Sequence, residues 1–123
     1  MSELKQHIKR GEIYLVRLDG SVGSEQSGTR PALIIQNEKG NQFSPTTLIC
    51  PLTSSKRKPY LPTHLLLTPG DSGIREPSVV LCEQLRVVDK SRLGKKLGEV
   101  TRLKLTELSL HLMLSIGLEV MSC

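Results

Sequence analysis

Apolar side chains occur along this chain in short runs separated by turn formers. Residues 12–18, 32–36, 46–52, 64–67 and 78–88 each gather aliphatic and β-branched positions over a length suited to a strand, and Gly20, Gly23, Gly28, Gly40, Pro59, Pro69, Gly70 and Gly73 fall between them. The spacing predicts a mainly β (α+β) protein of five short antiparallel strands, strongly bent into a small barrel. No long helical pattern alternates with these runs, which argues against a doubly wound parallel sheet. Tyr14 and Phe43 read as core aromatics.

The last third of the chain has a different pattern. From Leu108 to Leu118 every second residue is apolar, which taken alone is a strand signature. Yet residues 101–120 are too long for an ordinary strand, are rich in Leu, Met, Glu and Lys, and contain no proline. They predict a C-terminal helix. Leu105, Leu108, Leu112 and Ile116 form one stripe of it, and Leu110, Leu114 and Leu118 widen that stripe beyond what packing on a small barrel needs. The excess has two readings, a dimer contact or a broader cover over the open side of the barrel.

A length of 123 residues predicts one domain, residues 1–123 with a flexible start at 1–8, built on one modest core. Seventeen Lys and Arg against twelve Asp and Glu give a formal charge of +5, which favours a polyanion or an acidic protein as partner. Met1 to His7 carry no apolar segment, and no later stretch is long and apolar enough to span a bilayer, so a cytosolic protein without a membrane contact is expected. Cys50, Cys82 and Cys123 are widely spaced and form no C-x-x-C pair, which argues against a disulfide framework and a zinc site. Cys50 and Cys82 read as small buried hydrophobes in strands, and Cys123 as a tail residue.

Two polar positions border the apolar runs. Gly23-Ser24-Glu25-Gln26-Ser27-Gly28-Thr29-Arg30-Pro31 is a small polar loop that ends in an arginine directly before the run at 32–35. A rigid strand end there can aim a planar, permanently charged fork at a phosphate. After the run 48–52 come Thr53 and Ser54, then the basic triplet Lys56-Arg57-Lys58, suited to gripping a phosphate backbone or else a solvated turn. Asn37, Ser54 and Gln84 offer amides and a hydroxyl for the Watson-Crick edges of unpaired bases, and Tyr60 could stack on one. The glycines of the loop make neither a dinucleotide fingerprint nor a phosphate-binding P-loop. His7, His64 and His111 are not spaced as an acid–base pair, and His64 reads as structural.

The segment GSEQxGxRP at 23–31, LIIQN at 33–37, NxFSPT at 41–46, the Thr53 region, LPTH at 61–64 and EQLRVVDKSRL at 83–93 together resemble the MazF/PemK family of bacterial toxin endoribonucleases, in the same order and from about residue 9 to about residue 118. The resemblance implies an SH3-like, PemK-type barrel with a C-terminal helix. It implies a metal-independent, sequence-specific endoribonuclease of a type II toxin–antitoxin system, acting on single-stranded messenger RNA without a cofactor. It also implies a homodimer and an acidic MazE-like antitoxin as partners. Arg30 and Thr53 match the family's catalytic arginine and threonine and Glu25 a glutamate of the same loop, with Ser24 and Gln26 beside it expected on the substrate.

RNA brings its own nucleophile, the 2′-hydroxyl. Cleavage needs that oxygen aligned with the phosphate, the growing charge stabilised and the 5′-oxygen protonated, and it yields a 2′,3′-cyclic phosphate and a 5′-hydroxyl. Arg30 suits charge stabilisation. Arginine stays protonated in proteins, so Glu25 is the better candidate base. Beside these stand plainer readings, in which Arg30 and Glu25 form a surface ion pair and Thr53 ends its strand. A non-catalytic toxin of the same barrel, poisoning a protein such as a topoisomerase, is the alternative function. Thr29 departs from the enterobacterial members, which carry histidine there, and 43–46 look closer to Gram-positive members, leaving the RNA word open.

Overall fold

Successive residues along the middle of β2 and β3 point to opposite faces of the sheet, and both faces are buried. The computed structural model describes residues 7–20, 22–54 and 61–118. Its elements in chain order are β1 (Glu12–Arg17), β2 (Thr29–Ile34), α1 (Glu38–Phe43), β3 (Thr46–Ser54), β4 (His64–Leu67), α2 (Pro69–Ser72), β5 (Ser78–Leu81), a 3-10 turn at Cys82–Gln84, β6 (Arg86–Asp89), a second at Lys90–Arg92, β7 (Leu93–Glu99) and α3 (Arg102–Ser115). The seven strands form one antiparallel sheet in the order β4-β5-β3-β2-β1-β7, with β6 also paired to β3.

β3 is the hub. Its first half pairs with β6 (Thr46↔Asp89 to Ile49↔Arg86), its middle with β2 (Ile34↔Ile49 to Ala32↔Pro51), and its end with β5 (Leu52↔Val80 to Ser54↔Ser78). A nine-residue strand that changes partners along its length bends the sheet and makes two cores from it. Ile13, Leu33, Cys50, Leu52 and Val80 point to one, closed by Leu105, Leu108 and Leu112 of α3. Tyr14, Val16, Ala32, Ile34, Ile49 and Val88 point to the other. Strands covered on both faces carry apolar residues at successive positions, which is why they read as unbroken runs.

The five expected strands are present, with two changes of extent and one addition. The run 78–88 is not one strand: the 3-10 turn at Cys82–Gln84 breaks it where the chain crosses from the β5 segment of β3 to the β6 segment. β2 begins at Thr29, so Arg30 lies inside the strand, opposite Val16. β7, unforeseen, is an edge strand with two glycines and two lysines, bulged against β1. Its Gly98 passes so close to α2 that a Cβ there would collide with the Ser72 carbonyl. α1 was unforeseen too; Asn37 caps it by accepting from the Gly40 N–H at 2.8 Å.

α3 starts one residue inside the expected range, capped by the Thr101 hydroxyl. Leu108 is fully buried, but Ile116, expected on the same stripe, is 60% exposed because the helix has ended at Ser115. Leu110, Leu114 and Leu118 stay about half exposed. Phe43 is solvent-exposed, against its expected place in the core: in α1 it is Asn41 that turns inward, bonded to the Gln36 carbonyl and the Thr47 hydroxyl. Tyr14 is buried as expected, its hydroxyl donating to Glu12. Cys50 and Cys82 are both buried, Cys82 in the 3-10 turn, and a hydrogen bond between the two thiols together with burial pushes the Cys50 thiol up from its ordinary pKa. Ile8, in the stretch expected to be flexible, is buried in the second core. Residues 1–6 and 119–123, Cys123 among them, lie outside those described.

Candidate functional site

The loop between β1 and β2 carries the first part of the site. Its base is closed by the Leu18 N–H donating to the Gly28 carbonyl at 2.9 Å. Gly28, at φ 74°, takes the left-handed turn that brings the chain back into β2, a conformation side chains resist. Within the loop Val22 and Glu25 hold each other: the Glu25 N–H donates to the Val22 carbonyl at 3.2 Å, and the Val22 N–H donates to the Glu25 carboxylate at 2.6 Å.

Arg30 leans back along its own loop, its Nε–H donating to the Ser27 carbonyl at 2.8 Å. Among the described residues the ion pairs do not include one between Arg30 and Glu25, so the simple surface pair is not what forms. With Nε fixed and the terminal amino groups of the fork unengaged within the described residues, the guanidinium keeps its bidentate edge for an anion.

Register sets what faces it. The β2–β3 ladder runs to Ala32↔Pro51, and continuing it by two residues brings Arg30 level with Thr53. Arg30 falls in phase with Ala32 and Ile34, and Thr53 with Pro51 and Ile49, so all share one face of the sheet. Past Pro51 the ladder to β2 stops and β3 continues beside β5, which leaves Thr53 half-buried and Ser54 exposed at a strand end.

A cleft of about 370 Å³ is lined by Gly20, Glu25, Gln26, Pro51, Glu83, Gln84, Leu85 and Arg86, its Pro51 two residues before Thr53 on β3. Gln84 spans it: its Oε1 accepts from the Gln26 N–H at 2.9 Å and its Nε2 donates to the Ser24 carbonyl at 3.5 Å. The side-chain Oε1 of Gln26 is buried in the wall without a hydrogen-bond donor among the described residues. Arg86 pairs with Ile49 in the ladder and so projects from the same face as Pro51 and Thr53.

The structure thus gathers Glu25, Gln26 and Gln84 around one cleft, with Ser24 next to Glu25 in the loop, while Arg30, Thr53 and Ser54 lie on β2 and β3 outside its lining. It does not bring Asn37 there, because that residue follows the opposite end of β2 and spends its side-chain oxygen capping α1. Lys56, Arg57 and Tyr60 lie outside the described residues. Arg86 was missed, and its one sequence signal was its position two residues after Gln84 in the segment 83–93. His64 Nε2 lies 3.1 Å from Glu83, a residue of the cleft lining that also accepts from Thr63, and His111 Nδ1 bonds the Pro62 carbonyl. No helix among the described residues is long and apolar enough to cross a membrane.

Comparison with known proteins bears on the family and the fold. The family described as PemK-like, MazF-like toxin of type II toxin–antitoxin system matches residues 9–116. The chain is 40% identical over 111 residues to the endoribonuclease EndoA of Bacillus subtilis (strain 168), covering 90% of this chain and 96% of that one. It is 40% identical over 111 residues to the endoribonuclease MazF of Staphylococcus epidermidis, covering 92% of that protein. Among solved structures, an endoribonuclease in complex with its cognate antitoxin from Mycobacterial species superposes with a TM-score of 0.76 at 25% identity, over 93% of this chain and 99% of that one. Its sequence, its sheet order and these likenesses together make the chain a member of the PemK/MazF family of type II toxin–antitoxin toxins.

Proposed function

We propose that the protein is the endoribonuclease toxin of its toxin–antitoxin pair and cuts single-stranded RNA at the cleft beside Arg30 and Thr53. One observation carries this reading: a guanidinium held through Nε, with its outer edge unengaged among the described residues, lies two residues beyond the Ala32↔Pro51 pair on β2, as Thr53 does on β3. The 2′-oxygen of the RNA attacks the adjacent phosphorus, Glu25 takes its proton, the bond from phosphorus to the 5′-oxygen breaks, and the 5′-oxygen takes a proton from solvent and leaves as a hydroxyl, while Glu25 returns its proton to solvent. Arg30 binds the phosphoryl oxygens most strongly when their charge is greatest, so it favours the transition state over bound substrate. The Thr53 hydroxyl donates to a phosphoryl oxygen, and Arg86 adds a second positive charge to the cleft.

For Glu25 to act, its carboxylate exchanges the Val22 N–H for the 2′-hydroxyl, a short move within the same loop. The antitoxin is acidic, complementary to the +5 charge of this chain, and the protein acts in the cytosol. A homodimer is supported by the half-exposed Leu110, Leu114 and Leu118 of α3. The test is to incubate purified protein with a mixed pool of single-stranded transcripts in excess chelator and to sequence the ends. Products with a 5′-hydroxyl and a 2′,3′-cyclic phosphate are expected; 5′-phosphate ends, or cleavage only with added magnesium, would refute the mechanism.

A further inference from the structure

We propose that Gln84 is a positioning residue, which clamps the Ser24–Gln26 segment to the body of the protein and so fixes Glu25 at the cleft, instead of reading a base. The inference rests on the function proposed above. Both ends of the Gln84 carboxamide are engaged with loop backbone, one with Gln26 N–H at 2.9 Å and the other with Ser24 C=O at 3.5 Å. Glu25 is the residue between those two anchors. The orientation is forced by chemistry, since rotating the amide would set NH₂ against N–H and oxygen against oxygen.

The anchor itself is rigid. Gln84 ends the 3-10 turn Cys82–Gln84, whose Cys82 is buried in the core and whose Glu83 is held by Thr63 and His64. The loop is not. It contains Gly20, Gly23 and Gly28 at positive φ, and its other hydrogen bonds among the described residues are local: Leu18 to Gly28, Val22 to Glu25 and Arg30 to Ser27. The bonds from Gln84 cross 58 and 60 residues of sequence and tie the loop to the sheet. They also oppose a cost, because docking the loop buries the Gln26 side-chain oxygen without a donor among the described residues.

Gln84→Ala and Gln84→Glu separate a clamp from a base reader and from a merely structural residue. Losing two hydrogen bonds from the loop should lower kcat on a single-stranded RNA about tenfold for Gln84→Ala with KM and cut-site choice little changed. The Gln26 amide should exchange with solvent at least about tenfold faster in the protein without RNA, while amides of β2 and β3 keep their protection. Gln84→Glu keeps the acceptor for Gln26 N–H but has no donor for Ser24 C=O until its carboxyl is protonated. Its activity relative to the wild type should therefore recover as pH falls through the ordinary carboxylate range, a rescue that a generally loosened fold does not give.

Unchanged kcat with a shifted cut site in Gln84→Ala would make Gln84 a base reader and overturn the clamp. So would a Gln26 amide that exchanges as slowly as in the wild type. If the wild-type protein cuts no RNA, the proposed function fails, while the exchange measurement still decides whether Gln84 holds the loop.

Discussion

Replacing Arg30 by alanine should separate catalysis from folding, because among the described residues the side chain makes one hydrogen bond, and on the proposed mechanism it offers others to the substrate. The fold gives up the Nε–H bond to the Ser27 carbonyl at 2.8 Å, on the exposed surface. Such a bond contributes about 0.5–1.5 kcal/mol net, so the melting temperature should fall by no more than about 2–8 °C. On the proposed mechanism, the reaction gives up the hydrogen bonds from the terminal amino groups to the phosphoryl oxygens. Removing one preorganised donor from a developing oxyanion costs about 2.7–4 kcal/mol, roughly a hundredfold to a thousandfold in rate.

The assay is kcat/KM on a short single-stranded RNA with one cut site, beside a thermal melt of the same preparation and growth of cells expressing each variant. Arg30→Lys should rescue little, since an ammonium offers neither the Nε anchor to Ser27 nor a planar fork. Loss of growth inhibition should track loss of cleavage. If Arg30→Ala keeps its rate within about threefold of wild type, the fork is not stabilising the transition state. If it loses cleavage yet still arrests growth as strongly, the toxic act is binding to a protein target, of the kind that poisons a topoisomerase.

Much of the fold was legible because its central strands are buried on both faces. Residues 32–35 and 48–50 send alternate side chains into two different cores, so neither stretch carries a polar interruption to confuse its reading. What failed to show is what apolar patterning does not encode. β7 buries only Leu93 fully and meets the sheet along one edge, so Gly94, Lys95, Lys96 and Gly98 look like a loop until β1 is there to pair with them. The break at Cys82–Gln84 is hidden for the opposite reason: Cys82 and Leu85 remain in the first core, and the apolar signal runs straight through a change of partner strand. α1 had a signal in Asn37-Glu38, a capping residue before an acid, but six residues containing Gly40 are too few for helical periodicity. At the site, Arg30 and Thr53 could be picked out because each borders an apolar run. The engagement of Gln84 could not, since a hydrogen bond across 58 residues depends on the folded path alone.

Arg86→Ala should weaken RNA binding and lower the slope of log affinity against log salt by about 0.7, the value for one phosphate neutralised on a single strand; an unchanged slope assigns Arg86 to structure. Leu110→Glu with Leu114→Glu should shift the sedimentation of the protein toward the monomer while leaving its melt cooperative, and a species unchanged in size would remove α3 from any dimer interface. Leu108→Ala, at a fully buried position under α3, should cost about 2–5 kcal/mol in denaturant unfolding; a cost below about 1 kcal/mol would mean that α3 is not closing the first core. Glu12→Gln tests the buried carboxylate that accepts from the Lys9 N–H at 2.7 Å, the Lys96 ammonium at 2.8 Å and the Tyr14 hydroxyl at 3.1 Å. Burial pushes the Glu12 pKa up, but these hydrogen bonds and the Lys96 charge outweigh it and leave the carboxyl below its ordinary value of 4.5. A carboxyl depressed by folding stabilises the protein above its unfolded pKa and loses that contribution as pH falls through the folded one, so the stability gap between wild type and Glu12→Gln should be full near pH 7 and close progressively toward about pH 3. A gap that stays constant across that window would show that the ionised form of Glu12 contributes nothing to holding β1 against β7.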